Sequence, residues 1–402
     1  MQSVIRPLIQ KNNTKIILIV LDGVGGLPVN GVTELERANK PNLDKLAQMS
    51  ACGLHLPVGY GLTPGSGPGH LGLFGYDPIE FQIGRGVLEA LGLGIELKKT
   101  DIAARCNYAT MKNGFITDRR AGRIATEKSK KLTEMLQKEI PSIGNAKVIL
   151  APGKEHRFAA ILRFPEQLKP DAAAISDTDP QKEGLQPLNP VPLSENAASI
   201  SKTVERLIQR AQDVLKDEEK ANFILMRGFS CMPAIPTFAE AFGLKSLAIA
   251  VYPMYRGLAR LIEMEAPAID GNVADEIDFL KKRYNEYDFF FLHVKKVDSY
   301  GEDGNFEGKA AEIEAFDKLL PLVLELNPDV LIITGDHSTP ALLKSHSWHP
   351  VPVLLYSPYV LGRTSSAFTE RECLKGELGI FPTYNLLPLA LANSLRLKKF
   401  GA

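Results

Sequence analysis

Lys15-Ile16-Ile17-Leu18-Ile19-Val20-Leu21-Asp22-Gly23 is the stretch that decides the fold. From Ile16 to Leu21 it is apolar, rich in β-branched residues and free of polar alternation. Such a run fits a strand buried on both faces, the environment of a parallel sheet. It stops at an acid and a glycine. The same design recurs downstream. Phe289 to Val294 is largely apolar until Lys295, and Asp298 follows. Val330 to Thr334 runs into Gly335-Asp336-His337. Leu247 to Val251 and Val353 to Tyr356 repeat the pattern. Helical spacing lies between these runs. Pro41 to Met49 follows Asn39, with proline suited to a first turn. Ala310 to Leu326 has apolar positions at helix intervals, and Pro321 inside it predicts a kink or a break. Strands alternating with helices predict a doubly wound α/β fold with a mostly parallel sheet. Ligands gather at the carboxyl ends of such strands. Asp22, Asp298 and Asp336 are therefore expected to converge, although they are far apart in sequence.

The middle of the chain reads differently. It holds many polar residues, the proline-rich stretch Pro180 to Pro192, and an amphipathic segment from Ser194 to Leu215. Residues 98–234 are expected to form an inserted, smaller α+β domain that binds substrate. Residues 1–97 and 235–402 are expected to form the core domain. The chain has 402 residues with 47 basic and 47 acidic side chains, so its formal net charge is zero. That balance argues against nucleic acid or a membrane surface as a partner, and any positive field for an anionic substrate must be local. The four cysteines are scattered with no CxxC pair, as expected of thiols in a reducing compartment. Met1 to Lys15 lacks a continuous apolar signal core, and Ile16 to Leu21 is far shorter than the ~20 residues that span a bilayer. A cytoplasmic location is expected. Oligomeric state is not legible.

Four segments carry chemistry. Asp336-His337, with His349 twelve residues on, offers carboxylate and imidazole donors that suit Zn²⁺, Mn²⁺ or Co²⁺. A single such residue is more often a satisfied core histidine or a loop side chain. Acids at two other strand ends shift the balance toward a metal site. Thr63-Pro64-Gly65-Ser66-Gly67-Pro68-Gly69-His70 could lead into a helix over Gly69 to Phe74 with Pro68 in its first turn, placing Ser66 at the N-terminus, where amides and dipole favour phosphate. A plain glycine-rich turn fits the spacing equally well. Asp118-Arg119-Arg120-Ala121-Gly122-Arg123 sets three arginines in a tight turn, either as phosphate forks or as a solvated face. Arg157, Arg163 and Arg227 are further candidates within the expected insert. Ser176-Asp177-Thr178-Asp179-Pro180 is a polar loop for substrate hydroxyls, or simply a turn before proline.

Taken together, the chain resembles the cofactor-independent phosphoglycerate mutases of the archaeal type, within the alkaline phosphatase superfamily. The segments that carry the resemblance are Leu21 to Gly25, Thr63 to Asp77, Gly84-Arg85-Gly86, Asp118 to Ile124, Ser176 to Pro180, His293 to Asp298 and Thr334 to Pro340. It spans nearly the whole chain. It implies an alkaline phosphatase-like core and an isomerase of glycolysis that interconverts 2- and 3-phosphoglycerate without 2,3-bisphosphoglycerate. It implies two divalent metal ions. Asp22, Ser66, Asp336 and His337 would hold one. Asp298, His349 and Glu302 would hold the other. Glu302 stands where relatives usually carry histidine, and this harder donor tilts the preference toward Mn²⁺ or Mg²⁺, with Zn²⁺ or Co²⁺ as other options. Gln181 is a second departure, at a position where histidine often follows.

The implied mechanism runs through a phosphoserine at Ser66, with Lys295 meeting an anion and Asp179 or Asp177 as general base on the glycerate hydroxyls. Asp118, Arg119, Arg120, Arg123, Arg157, Ser176, Asp177 and Arg227 would bind substrate. The alternatives are a phosphatase or other phosphotransferase on the same fold, or a non-catalytic phospho-ligand binding relative with an altered second metal site.

Overall fold

The Ile16–Leu21 run is a strand whose residues are all buried, as its uninterrupted apolar pattern requires. It is an interior strand of a sheet in a computed structural model that describes residues 2–401. Met1 and Ala402, the ends of the expected core domain, lie outside the described residues. In chain order the strands are β1 (Ile16–Leu21), β2 (Ala51–Leu56), β3 (Asp101–Lys112), β4 (Phe115–Asp118), β5 (Ser142–Ile143), β6 (Ala146–Pro152), β7 (Arg157–Arg163), β8 (Phe223–Cys231), β9 (Ser246–Ile249), β10 (Phe289–Val294), β11 (Val330–Thr334), β12 (Val351–Tyr356) and β13 (Gly379–Pro382).

The chain forms two compact units, residues 1–82 with 235–402, and residues 83–234. The first division therefore falls at 82/83 and not at 97/98. The reason is local: helix Arg85–Gly92 packs on β3 and β8, strands of the second unit.

The first unit holds a seven-stranded sheet in the order β13-β2-β12-β11-β1-β10-β9. Every pairing is parallel except the two made by β12, so only β12 runs against the rest. Helices Pro41–Gln48, Val273–Arg283 and Phe306–Leu324 contribute apolar faces to its main core. The register sets Val20 beside both His293 and Thr334. The carboxyl ends of β1, β10 and β11 therefore lie side by side, and the segments carrying Asp22, Asp298 and Asp336 leave from one edge. β2 runs the same way, so the loop that leads to Ser66 leaves from that edge too.

The second unit is an antiparallel sheet in the order β4-β3-β7-β6-β5, with β8 also on β3. Helices Thr126–Glu139 and Ala198–Leu215 pack their apolar faces on it. The expected α/β core with an inserted α+β region is the architecture observed. Among the described residues no disulfide forms, and no helix is long and apolar enough to cross a membrane.

Pro321 does not break its helix, which runs unbroken from Phe306 to Leu324. A proline frees the carbonyl four residues earlier. Here that carbonyl, on Asp317, accepts from Asn42 Nδ2 at 3.1 Å. The Asp317 side chain reciprocates, accepting from the Leu43 amide at 2.7 Å and the Asn42 amide at 3.3 Å. It thus satisfies the free amides at the start of helix Pro41–Gln48, which has no cap of its own. Asp317→Ala is expected to cost about 2 kcal/mol in urea unfolding, the loss of a cap plus buried unpaired amides. Unchanged stability would refute that assignment.

A buried acid lies on helix Val273–Arg283. Burial pushes the Glu276 carboxyl up to about 8, and its Oε1 accepts from the Val251 amide at 2.8 Å. In the unfolded chain it titrates near ~4.3. Between those values the folded state keeps a proton that the unfolded state has lost, so stability falls as pH rises through the window. Glu276→Gln keeps the acceptor and removes the titration. Its Tm relative to wild type is expected to rise steadily between about pH 5 and about pH 8. A Tm difference independent of pH would sink the reading.

Candidate active site

The three acids do converge. Asp22, Asp336 and Asp298 are buried to within 1% of full burial, although each is a charged residue type that proteins rarely bury unpaired. His337 Nε2 stands 3.4 Å from Asp22 Oδ1 and 3.1 Å from Asp336 Oδ2. Asp22 Oδ1, Asp336 Oδ2 and His337 Nε2 are all buried with no hydrogen-bond partner, and they lie within 4.8 Å of one another. Buried lone pairs left aimed at a common point fit a divalent cation. Electrostatics agrees. Burial and the charge of Asp22 hold the Asp336 carboxyl well above the usual carboxylate range. Burial also opposes ionisation of Asp22, but His293, His337 and Lys295 together hold it well below that range. Two like charges in one dry pocket cannot both ionise comfortably without a cation.

Ser66 opens helix Ser66–Leu73 with extended Gly65 before it, three residues ahead of Gly69, where the sequence placed the start of the helix. The first turn lies against the acid loop: a Cβ on Gly69 would collide with the Asp336 carbonyl oxygen. His70, one turn on, donates from Nδ1 to the Ser66 carbonyl at 2.8 Å and stands 3.2 Å from Asp336 Oδ2. The Ser66 side chain interacts with Tyr255, whose hydroxyl donates to Asp22 Oδ2 at 2.5 Å. Lys295 Nζ bridges Asp22 Oδ2 at 3.1 Å and Asp298 Oδ2 at 2.5 Å.

A second group gathers around Asp298, and it corrects one sequence expectation. His346, not His349, is the histidine there. Its Nε2 lies 3.7 Å from Asp298 Oδ1 and 3.8 Å from Glu302 Oε1. Its Nδ1 meets the Pro64 carbonyl at 3.0 Å, so that nitrogen carries the proton and Nε2 presents its lone pair to the acids. The His349 ring stacks on Trp348 and meets Ser347 Oγ at 3.1 Å instead. The two histidines are three residues apart in an irregular loop, where no periodicity says which one turns inward. His70, His293 and Tyr255 also escaped the sequence reading. His70 and His293 lay within quoted segments without being given a role, and nothing in the spacing of Tyr255 marked it.

The second unit holds its own polar cluster. Arg119 makes a two-pronged pair with Asp179, Nε to Oδ1 and Nη2 to Oδ2, both 2.7 Å. Arg227 reaches Asp179 Oδ2 at 3.4 Å and Asp177 Oδ2 at 3.5 Å. Burial opposes the charge on Asp179, but Arg119 and the Gln181 amide win and lower its pKa. β-sheet pairing sets Arg105 opposite Arg227. Burial, then the charges of Arg157, Arg85 and Arg227, lower the pKa of the Arg105 guanidinium. Like charges gathered this closely call for an anion. Arg85 and Arg105 belong to this cluster and were not singled out from sequence. Arg105 was hidden because a partly buried strand arginine looks like any edge residue.

Asp118 and Ser176 do different work from that expected. Asp118 accepts from the Arg120 and Gly122 amides, both at 2.7 Å, and so closes the turn. Ser176 Oγ accepts from the Val191 amide at 2.9 Å and donates to the Asn189 carbonyl at 3.3 Å, stitching its loop. Arg120 and Arg123 are exposed on that turn.

Comparison with known proteins places this geometry. The sequence pattern of the 2,3-bisphosphoglycerate-independent phosphoglycerate mutase family matches residues 47–221. A protein of Aquifex aeolicus named "Probable 2,3-bisphosphoglycerate-independent phosphoglycerate mutase" is 62% identical, over 99% of this chain and 100% of that one. Among solved structures, a Pyrococcus horikoshii protein superimposes with a TM-score of 0.81 at 29% identity, over 98% of this chain and 100% of that one. The "Cofactor-Independent Phosphoglycerate Mutase from Thermoplasma acidophilum" gives a TM-score of 0.76 at 28% identity, over 94% of this chain and 100% of that one.

The two histidines of the loop separate cleanly by experiment. His346→Ala is expected to lose one equivalent of Mn²⁺ per chain by elemental analysis after dialysis, whereas His349→Ala keeps wild-type metal content. The opposite pattern would restore His349 as the inward-facing donor.

Proposed function

The chain belongs to the family of 2,3-bisphosphoglycerate-independent phosphoglycerate mutases, and we propose that it interconverts 2- and 3-phosphoglycerate through a phosphoserine at Ser66. The observation that carries this reading is the set of orphaned lone pairs on Asp22, Asp336 and His337 at the sheet edge that also receives the Ser66 helix. Asp22, Asp336, His337 and Ser66 would hold one divalent ion. Asp298, His346 and Glu302 would hold a second. Bound there, the ions supply charge neutralisation for phosphoryl oxygens and a lower pKa for a coordinated hydroxyl. Mn²⁺ suits this mixture of carboxylate and imidazole donors.

Ser66 Oγ attacks the substrate phosphorus in line. The Oγ–P bond forms as the bond from phosphorus to the glycerate oxygen breaks, and that oxygen takes up a proton. The other glycerate hydroxyl then attacks phosphoserine, loses its proton, and regenerates Ser66. Lys295, held between Asp22 and Asp298, brings positive charge to the phosphoryl oxygens as they develop charge. In the second unit Arg85, Arg105, Arg157 and Arg227 bind the anionic groups of phosphoglycerate. Asp177 and Asp179 accept hydrogen bonds from the glycerate hydroxyls, and Asp179 is the general base we favour. Retention of glycerate by this arginine cluster favours mutase over phosphatase, because free water would otherwise compete for the phosphoryl group. That reaction is a step of glycolysis.

Purified protein with Mn²⁺ and 3-phosphoglycerate is expected to yield 2-phosphoglycerate without added 2,3-bisphosphoglycerate. Release of inorganic phosphate in its place would mean a phosphatase. Ser66→Ala is expected to lower kcat by on the order of a thousandfold or more, with substrate binding still measurable by calorimetry. A wild-type rate in that variant would remove Ser66 from the reaction.

A further inference from the structure

We propose that Lys309 and Thr339 form a positioning relay that locks the loops after β1 and β11 together and fixes the orientations of His337 and Asp298. The inference rests on the proposed metal-binding reading of those residues. Neither relay residue is placed on substrate or in a metal's coordination shell; both act through their neighbours.

Lys309 lies on helix Phe306–Leu324 and is completely buried. Lysine is almost never buried so fully unless its ammonium is satisfied. Here all three N–H donors are accounted for. Nζ donates to the carbonyls of Gly23 at 2.9 Å, Gly25 at 3.0 Å and Thr339 at 2.8 Å. Gly23 and Gly25 follow Asp22, and Thr339 follows His337. One ammonium thus adds to the backbone hydrogen bonds from the Thr339 amide to the Gly23 and Gly25 carbonyls, both 3.1 Å, that join these two loops. Glu34, also buried, stands 3.9 Å away and balances the charge, while its Oε1 accepts from the Ala341 amide at 2.8 Å. Glu34 therefore pins the far side of the same β11 loop.

Thr339 carries the constraint to the acids. Its Oγ1 lies 2.7 Å from Asp298 Oδ1 and 2.9 Å from His337 Nδ1. A hydroxyl has one proton to give. The Asp298 carboxylate can only accept, so the proton goes there. The hydroxyl oxygen then accepts from His337 Nδ1–H. This fixes the imidazole tautomer and leaves the Nε2 lone pair facing Asp22 and Asp336, as a metal-ligating histidine needs. The fit is tight. Gly23 adopts φ +66°, and a Cβ there would sit 2.5 Å from Thr339 Oγ1 and 2.9 Å from Asp298 Oδ1. Neither loop can shift without breaking the relay.

Calorimetric titration of Mn²⁺ into metal-free wild type, Lys309→Met, Thr339→Val and Thr339→Ser tests the relay. Lys309→Met and Thr339→Val are expected to weaken Mn²⁺ binding by about tenfold to a hundredfold, and Thr339→Ser to restore it. Histidine ¹⁵N spectra of the metal-free proteins supply a second readout. Wild type and Thr339→Ser are expected to show His337 protonated at Nδ1, and Thr339→Val a mixture of tautomers. Should Lys309→Met fail to fold, the Thr339 pair decides. Wild-type Mn²⁺ affinity and an unaltered His337 tautomer in Thr339→Val would overturn the relay. Failure of the wild-type chain to bind Mn²⁺ at all is a different result, which would overturn the metal reading and the relay with it.

Discussion

Burying Asp22 and Asp336 together at the ends of adjacent strands is the constraint on which the rest of this structure depends. Each carboxylate would be expensive to bury alone, and the pair is worse because like charges repel in a dry pocket. The surroundings are arranged around that difficulty. His293 approaches Asp22 from β10 at 3.3 Å, Lys295 from the following turn at 3.1 Å, and Tyr255 donates to it. His70 and His337 stand over Asp336 at 3.2 Å and 3.1 Å. These contacts ease the charge without quenching it. Oδ1 of Asp22 and Oδ2 of Asp336 still lack hydrogen-bond partners. A fold maintained only for stability would replace such a cluster with apolar side chains, which are often as stable or more so. Its persistence is an argument for chemistry.

The second unit solves the mirror problem. Arginines converge there on β3, β7, β8 and the adjoining helix, with Glu89 beside Arg105 and Asp177 and Asp179 beside Arg227 as opposing charges. Asp179 is held at two oxygens by Arg119 and so stays ionised. The chain as a whole has no net charge. Its strong fields are therefore local and opposite in sign, negative around the strand-end acids and positive around the arginines. Zero overall charge does not hinder either.

Much of this was legible before any coordinates. Unbroken apolar runs that end in acid marked the central strands, because a parallel strand buried on both faces allows no polar alternation until its end. Pairing order then brought the acids together, since β11, β1 and β10 are neighbours. What stayed hidden depended on loop conformation or on long-range compensation. His346 and His349 share one short segment, and only the Pro64 carbonyl that receives His346 Nδ1 tells them apart. Asp118 looked like a substrate ligand because its role as acceptor for two amides of its own turn is invisible in composition. Pro321 looked like a helix breaker because the remedy, Asn42, lies far away in sequence. Lys309 reads as an ordinary surface lysine on a helix until the loops closing over it are seen.

The geometry also decides how the two metal-competent groups divide their donors. His337 lies within reach of both, near Asp22 and Asp336 on one side and near Asp298 and His346 on the other. Its two nitrogens are not equivalent. Nδ1 is 4.0 Å from Asp298 Oδ1, with Thr339 Oγ1 already bound to it at 2.9 Å. Nε2 is closer to Asp22 and Asp336 and has no other partner. His337 Nε2 therefore faces Asp22 and Asp336, while His346 Nε2 and Glu302 lie on the Asp298 side. The first group is wholly buried, whereas the Glu302 side chain is 54% exposed. The inner site is dry and rigidly held, so its ligands must be set by packing. The outer one opens to water, so the Glu302 carboxylate is not a stranded buried charge. A carboxylate at position 337, which is fully buried beside Asp22 and Asp336, would be one.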